Sequence, residues 1–273
     1  MNSIEVTPRV WQRLLEVRAG TSCLCCGKWS AEEQMALDLY GPIASRKFTS
    51  SAVGQIGQSL DGRVSTVSGD SGEVSCSDGL AHLHRLRALV DGVVIGVKTA
   101  IHDSPRLTVR LCEGENPARV VIDPRGRLPN DSLVLEENGA RRVVIQAVDT
   151  ERPEGVEVIN LATENGQFHP AEILRSLSSI GLNQLLIEGG SFLLAKFIDH
   201  DLLHRLHIAV SPLIIGSGQQ GLTLFGQSEK LSNSLRPTTH PFALGSEVVF
   251  DCELAQNQSP RLEVINHRAQ MSS

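Results

Sequence analysis

The sequence predicts an α/β fold, with a mostly parallel central sheet, helices on both faces, an antiparallel edge and a short helical segment in front. The first observation behind this is a set of four brief apolar runs: "DGVVIGV" (Asp91 to Val97), "ARVVID" (Ala118 to Asp123), "RRVVIQAV" (Arg141 to Val148) and "NQLLIEGG" (Asn183 to Gly190). They are continuous rather than alternating, as strands covered on both faces are. The second is the helical windows that separate them, which put crossover helices between parallel strands. The third is size: 273 residues, 41% of them hydrophobic, suffice for one sizeable core.

Taken in chain order, residues 1–46 read as a helical extension and residues 47–273 as the main domain. In "TPRVWQRLLEVR", Thr7 is suited to cap a helix that Pro8 begins, and Val10, Leu14 and Val17 recur at helical spacing. In "SAEEQMALDLYG", Ser30 and Glu33 have capping-box spacing and Gly41 reads as the stop. "SDGLAHLHRLRALVD" opens on Ser77 and repeats Leu80, Leu83, Leu86 and Val90. "HPAEILRSLSSIG" has Pro170 at its start and Gly181 at its end. "RLHIAVSPLIIG" and "SEVVFDCEL" read as further strands at the antiparallel sheet edge.

Composition excludes several function classes. A net charge of −6 with scattered Lys and Arg gives no footprint for a nucleic-acid backbone. No apolar run reaches the ~18 residues of a membrane span. The first twenty residues lack the apolar centre of a secretory signal, so the expected compartment is the cytoplasm. Six cysteines, three of them in "CLCC" (Cys23, Cys25 and Cys26), form no disulfide framework. For want of a second ligand pair, "CLCC" reads as reduced thiols with no metal.

Three short patterns need separate treatment. Gly216, Gly218 and Gly221 in "GSGQQG" have dinucleotide-fingerprint spacing, but "LTLFGQSEKLSNSLRP" after them has no helical period. A glycine-rich loop is the better reading. Gly-Asp-Ser-Gly around Ser71 has the look of a serine-protease nucleophile loop, yet the strand–helix alternation is foreign to that fold. His200, His204 and His207 fall where a helix hands over to a strand, so their rings diverge and form no metal site. The stronger candidate is "QLLIEGGSFLLAKFID": a strand, a glycine turn at Gly189 and Gly190, and a helix opening on Ser191. Glu188 stands at the strand's carboxyl end, where ligands of open α/β sheets gather.

Read together, "SLDGRVST" (Ser59 to Thr66), "HRLRALVDGVVIGVKTAIHDSPRLTVR" (His84 to Arg110), "RVVIDPRGRLP" (Arg119 to Pro129), "LLIEGGSFLLAKFI" and "SPLIIGSG" resemble the pyrimidine reductase family of riboflavin biosynthesis. That family includes the reductase half of the bifunctional deaminase–reductase, and the likeness spans roughly residues 50 to 253. It implies a dihydrofolate-reductase-like fold, a homodimer, and NADPH-dependent reduction of the ribosyl group of 5-amino-6-(5-phosphoribosylamino)uracil or a related phosphorylated substrate. It implies substrate contacts at Ser71, Arg87, Leu107, Arg110 and Glu188, with Glu188 and Asp103 nearest the chemistry. Cofactor contacts are implied at Gln58, Asp61, Thr99, Asp103, Gly189, Gly190, Ser191, Phe192 and Leu193. Lys98, Arg125 and Arg127 offer charge for a 2′-phosphate. Gln55, where the family carries Lys, together with Glu73 and Pro124, departs from the pattern. The zinc deaminase half is absent. The alternative reading is a non-catalytic nucleotide-binding protein that keeps the reductase fold.

Overall fold

The computed structural model describes residues 4–46, 50–72, 74–226 and 230–254; Glu73 and the end of the expected main domain lie outside them. Two helices open the chain, α1 (Pro8–Arg18) and α2 (Ala31–Ala44). They are followed by β1 (Ser51–Ser59), β2 (Arg63–Thr66), α3 (Ser77–Leu89), β3 (Gly92–Gly96), α4 (Val97–His102), β4 (Ala118–Ile122), β5 (Arg142–Gln146) and β6 (Val156–Asn160). The rest comprises α5 (Pro170–Ser179), β7 (Gln184–Glu188), α6 (Ser191–Asp199), β8 (Arg205–Ser211), β9 (Gly218–Gln220), β10 (Thr238–Leu244) and β11 (Glu247–Glu253).

Nine strands form one sheet in the order β10-β11-β8-β1-β7-β3-β4-β5-β6. From β8 to β6 every pairing is parallel, and β11 pairs antiparallel with both β8 and β10. The four apolar runs form β3, β4, β5 and β7, whose side chains enter two separate cores. Val93, Ile95, Val121, Val144 and Leu186 pack beneath α1 to α4, while Val94, Val120, Val143, Ile145, Leu185 and Ile187 pack beneath α5 and α6. Burial on both faces is what selects an unbroken hydrophobic strand over an alternating one.

The N-terminal helices belong to the first core. Thr7 caps α1 by accepting from the Val10 N–H, and Ser30 and Glu33 close a complete capping box on α2. Val10, Trp11, Leu14, Leu39 and Tyr40 are buried, and the Trp11 indole donates to the Glu113 carbonyl at 2.9 Å. Gly41 does not stop α2, which continues through Pro42 to Ala44. The glycine serves packing instead: a Cβ there would stand 2.8 Å from Leu24 Cδ1, so its absence lets the α1–α2 connection dock on the helix.

Other expectations are revised as well. "RLHIAVS" is an interior strand parallel to β1, and the antiparallel edge begins only at β11. β1, "SAVGQIGQS", is central despite its glycines and glutamines, while β6 is the half-exposed edge. "VKTAIH" forms the short α4 directly after β3. Within "GSGQQG", β9 pairs antiparallel with β2 as a separate two-stranded ribbon.

A buried polar chain ties the first core together. Tyr40 Oη lies 2.8 Å from His82 Nδ1, His82 Nε2 lies 3.2 Å from His207 Nδ1, and His207 Nε2 is 3.3 Å from Asp251 Oδ1. Arg205 Nε donates to the same carboxylate oxygen at 2.6 Å. Burial pushes the Tyr40 hydroxyl up to about 12, and burial, followed by His207 and Arg85, holds His82 well below the ordinary imidazole value. Four elements (α2, α3, β8 and β11) are thus fixed by polar contacts that water does not reach.

Candidate active site

The candidate site lies at the carboxyl ends of the adjacent parallel strands β1, β7 and β3. β7 ends at Glu188, and Gly189 (φ +63°) and Gly190 (φ +68°) then turn the chain into α6. No side chain caps α6, so its first N–H groups are left for an acceptor from outside, and the helix dipole favours an anion there. Gly189 and Ser191 are half-buried and Gly190 is exposed, so the turn is open to solvent. A Cβ on Gly190 would lie 3.3 Å from Thr99 Oγ1, and one on Gly189 3.3 Å from Thr99 Cγ2. Thr99, on α4, therefore faces this turn, and the structure brings together Thr99, Gly189, Gly190 and Ser191. A cradle that a side chain would fill, backed by free N–H groups, suits a dinucleotide's diphosphate.

Along the wall toward α3, Arg87 Nε and Nη2 donate to Glu188 at 2.9 and 2.5 Å, and Arg87 Nη1 donates to the Thr108 carbonyl at 3.1 Å. Side-chain exposure is only 7% for Arg87 and 12% for Glu188, so the pair is committed inward. Arg87 therefore fixes Glu188 and the 104–110 loop in place, and its guanidinium is occupied by protein acceptors. Gln55 stands opposite Glu188 on β1 and opposite His207 on β8, and it is buried. At this position the departure from lysine leaves Arg87 as the cation that answers Glu188.

Arg110 behaves differently. It is exposed, takes part in no ion pair among the described residues, and touches Thr108 Oγ1 through Nη1. Its backbone N–H donates to His84 Nδ1 at 2.8 Å, which anchors the loop. Leu107, in the same loop, is buried in the first core at φ +51°. Burial, then Arg87 and Arg110, lower the His84 imidazole to about 4.

The sign of the pH effect follows. Below about 6.5 the unfolded chain takes up a proton that folded His84 refuses. Stability is whole above that value and is lost as pH falls toward about 4. The loss is on the order of 3 kcal/mol for this group. His84→Asn, which keeps an acceptor but cannot titrate, is expected to flatten the fall between pH 7 and pH 4.5 in urea unfolding. Equal losses in the two proteins would refute the assignment.

The remaining site residues lie around the rim. Asp61 is used within the protein: its carboxylate accepts from Ser59 Oγ at 2.6 Å and from the N–H groups of Ile215 and Gly216 at 3.1 and 2.7 Å. Led by the Ser59 bond, these contacts hold it at about 2. It thereby fastens the β1–β2 turn to the glycine-rich segment, while Gln58 Oε1 lies 2.6 Å from where a Cβ on Gly221 would stand. Ser71 is exposed on the β2–α3 loop. Asp103 caps α4, its N–H donating to the Thr99 carbonyl at 3.0 Å and its exposed carboxylate lying 2.9 Å from His102 Nδ1. Phe192 is exposed, its ring edge-on to Phe225 at 5.2 Å, beside a surface depression of about 540 Å³. Leu193 is buried in the second core. Lys98, Arg125 and Arg127 are exposed just past the ends of β3 and β4. Sequence inspection missed His84, Thr108 and the Arg87–Glu188 pairing. Alternation along β7 could have indicated the last, since Leu186 and Glu188 share the α3 face.

Fold and site together define an α/β protein with a strand–glycine turn–helix anion site at the carboxyl edge of its parallel sheet. The chain belongs to the RibD C-terminal domain family, whose model matches residues 53–270. It is 28% identical over 204 residues to the 2,5-diamino-6-ribosylamino-4(3H)-pyrimidinone 5′-phosphate reductase of Methanothermobacter thermautotrophicus, covering 70% of this chain and 92% of that one. It is 30% identical over 211 residues to the enzyme of the same name from Aquifex aeolicus, covering 72% and 92%. Among solved structures it superposes, with a TM-score of 0.67 and 26% identity, on a diaminohydroxyphosphoribosylaminopyrimidine deaminase/5-amino-6-(5-phosphoribosylamino)uracil reductase from Thermotoga maritima. That match covers 82% of this chain, which spans 62% of the longer protein. The mostly parallel sheet with an antiparallel edge expected from the sequence is thus the observed one. α1 and α2 precede the family match.

Proposed function

We propose that this chain reduces the ribosyl group of a phosphorylated ribosylaminopyrimidine to the open-chain ribityl form, with NADPH as the reductant. The observation that carries this reading is the uncapped amino terminus of α6, set behind two left-handed glycines and facing Thr99. NADPH supplies a hydride when bound. The chain's own residues bind and align: the Gly190–Ser191 amides and α6 dipole take the diphosphate, and Thr99 offers a hydroxyl beside it. Lys98, Arg125 and Arg127 provide the charge that favours a 2′-phosphate. Glu188, held by Arg87, presents a fixed acceptor to the substrate's polar groups, and exposed Arg110 receives its phosphate. Held between these two points, the sugar would be positioned for the hydride that NADPH supplies.

The reading includes a homodimer, to be checked by light scattering against twice the 29.6 kDa chain mass. The main test is consumption of NADPH with the enzymatically generated pyrimidine. Wild type is expected to turn over, and Arg110→Ala to raise KM for substrate about 10- to 100-fold, the loss of one charge-assisted phosphate contact. Its NADPH affinity should not change. NADPH binding without oxidation by either the uracil or the diaminopyrimidinone substrate would overturn the proposal in favour of a non-catalytic nucleotide binder.

A further inference from the structure

The connection between α1 and α2 carries a second cluster of chemistry, remote in sequence from the crevice. Its Cys23 and Cys25 sulfurs lie 2.8 Å apart, Cys23 and Cys26 3.2 Å, and Cys25 and Cys26 3.9 Å. These are the only three such ligand atoms gathered this closely among the described residues. The cysteines are free; Cys25 and Cys26 are exposed and Cys23 is half-buried.

The turn that presents them is fixed from within. Leu24 points the other way, against Gly41 of α2. Arg13 Nη1 donates to the carbonyls of Cys23 and Cys26 at 3.1 and 2.6 Å, and the Arg9 and Arg13 guanidiniums stand 4.3 and 5.5 Å from the centre of the Trp29 ring. Each end of the C-x-C-C segment is therefore held by the same arginine. The thiols meet because the backbone holds them there, and the Arg13 guanidinium lies against that backbone.

We propose that Cys23, Cys25 and Cys26 form a three-thiolate site for a thiophilic divalent cation of the zinc class. A circle through the three sulfurs has a radius of about 2.0 Å, shorter than the Zn–S bond of about 2.3 Å. Tetrahedral angles at such bonds set sulfurs about 3.8 Å apart, so an ion bonded to all three spreads Cys23 away from Cys25 and Cys26 and keeps its fourth position open to water. Binding replaces three S–H bonds by three S–metal bonds and releases three protons, with no change of oxidation state. Three thiolates around a dication leave one net negative charge, and Arg13, bonded to the Cys23 and Cys26 carbonyls, offers the balancing positive charge. Soft sulfur ligands exclude magnesium and calcium. The missing second ligand pair, which argued against a metal in the sequence, matters for a closed structural site but not for one with an open position.

The test uses the reduced full-length chain and cobalt(II) as a spectroscopic probe, followed by zinc. One cobalt per chain is expected, with tetrahedral d–d bands and thiolate-to-cobalt charge-transfer absorption that stoichiometric zinc abolishes. Cys25→Ser should weaken binding, and Cys23→Ser/Cys25→Ser/Cys26→Ser should eliminate it while leaving NADPH binding unchanged. Absence of charge-transfer absorption in the reduced protein would overturn the proposal. So would bands that persist in the triple variant, since Cys76, Cys112 or Cys252 would then be their source.

Discussion

Arg87→Leu is expected to cost about 3–5 kcal/mol of stability and to abolish reductase activity. The substitution leaves the Glu188 carboxylate, 12% exposed, without its partner in a wall built from α3 and β7. It also frees the Thr108 carbonyl that Arg87 Nη1 holds at 3.1 Å, so the loop carrying Arg110 loses an anchor. The double variant Arg87→Leu/Glu188→Leu separates these effects. Replacing both members of a buried pair by apolar groups of similar size is often neutral, so most of the stability should return. Activity should not, because the fixed acceptor at Glu188 is gone. Chemical denaturation and turnover measured on the same preparations check both halves. If the single variant is as stable as wild type, the pair does not hold the wall together.

Gly190→Ala carries the second large effect, on cofactor affinity. At φ +68° a side chain costs roughly 1–2 kcal/mol in any L-residue. The added methyl would also sit 3.3 Å from Thr99 Oγ1, in the space a diphosphate needs to approach the α6 amides. Loss of that approach should raise the Kd for NADPH about 10- to 100-fold, equivalent to roughly 1.4–2.8 kcal/mol. Global stability should fall far less than in Arg87→Leu, since the turn is open to solvent. Isothermal titration beside a thermal melt distinguishes the two quantities. An unchanged Kd would place the diphosphate elsewhere.

The sequence conveyed the fold wherever burial on both faces leaves its signature. β3, β4, β5 and β7 are runs of Val, Ile and Leu because each packs against helices above and below. β1 was illegible for a physical reason: it is central but carries Gly54, Gln55 and Gln58, whose roles lie in close packing and in the crevice, so no apolar run marks it. Gly41 misled because its conformation is ordinary helix and its function is to admit Leu24. At the site, the strand–glycine–helix passage around Gly189 was readable from order alone. The pairing of Arg87 with Glu188 joins residues 101 apart; alternation along β7 tells that Glu188 faces α3, but not which α3 residue meets it. Likewise "CLCC" gives spacing only. That Arg13 gathers the three sulfurs on one side of a turn is a tertiary fact.

The central claim, that the amide hydrogens opening α6 hold the cofactor's diphosphate, is tested most directly by NMR of chain labelled with nitrogen-15 at glycine and serine. Titration with NADPH should move the Gly190 and Ser191 amide resonances in a saturable way, with the same Kd that calorimetry gives. If NADPH binds while both resonances stay still and the shifts fall instead on Gly216, Ser217 or Gly218, the diphosphate rests on the other glycine-rich segment and the account is wrong.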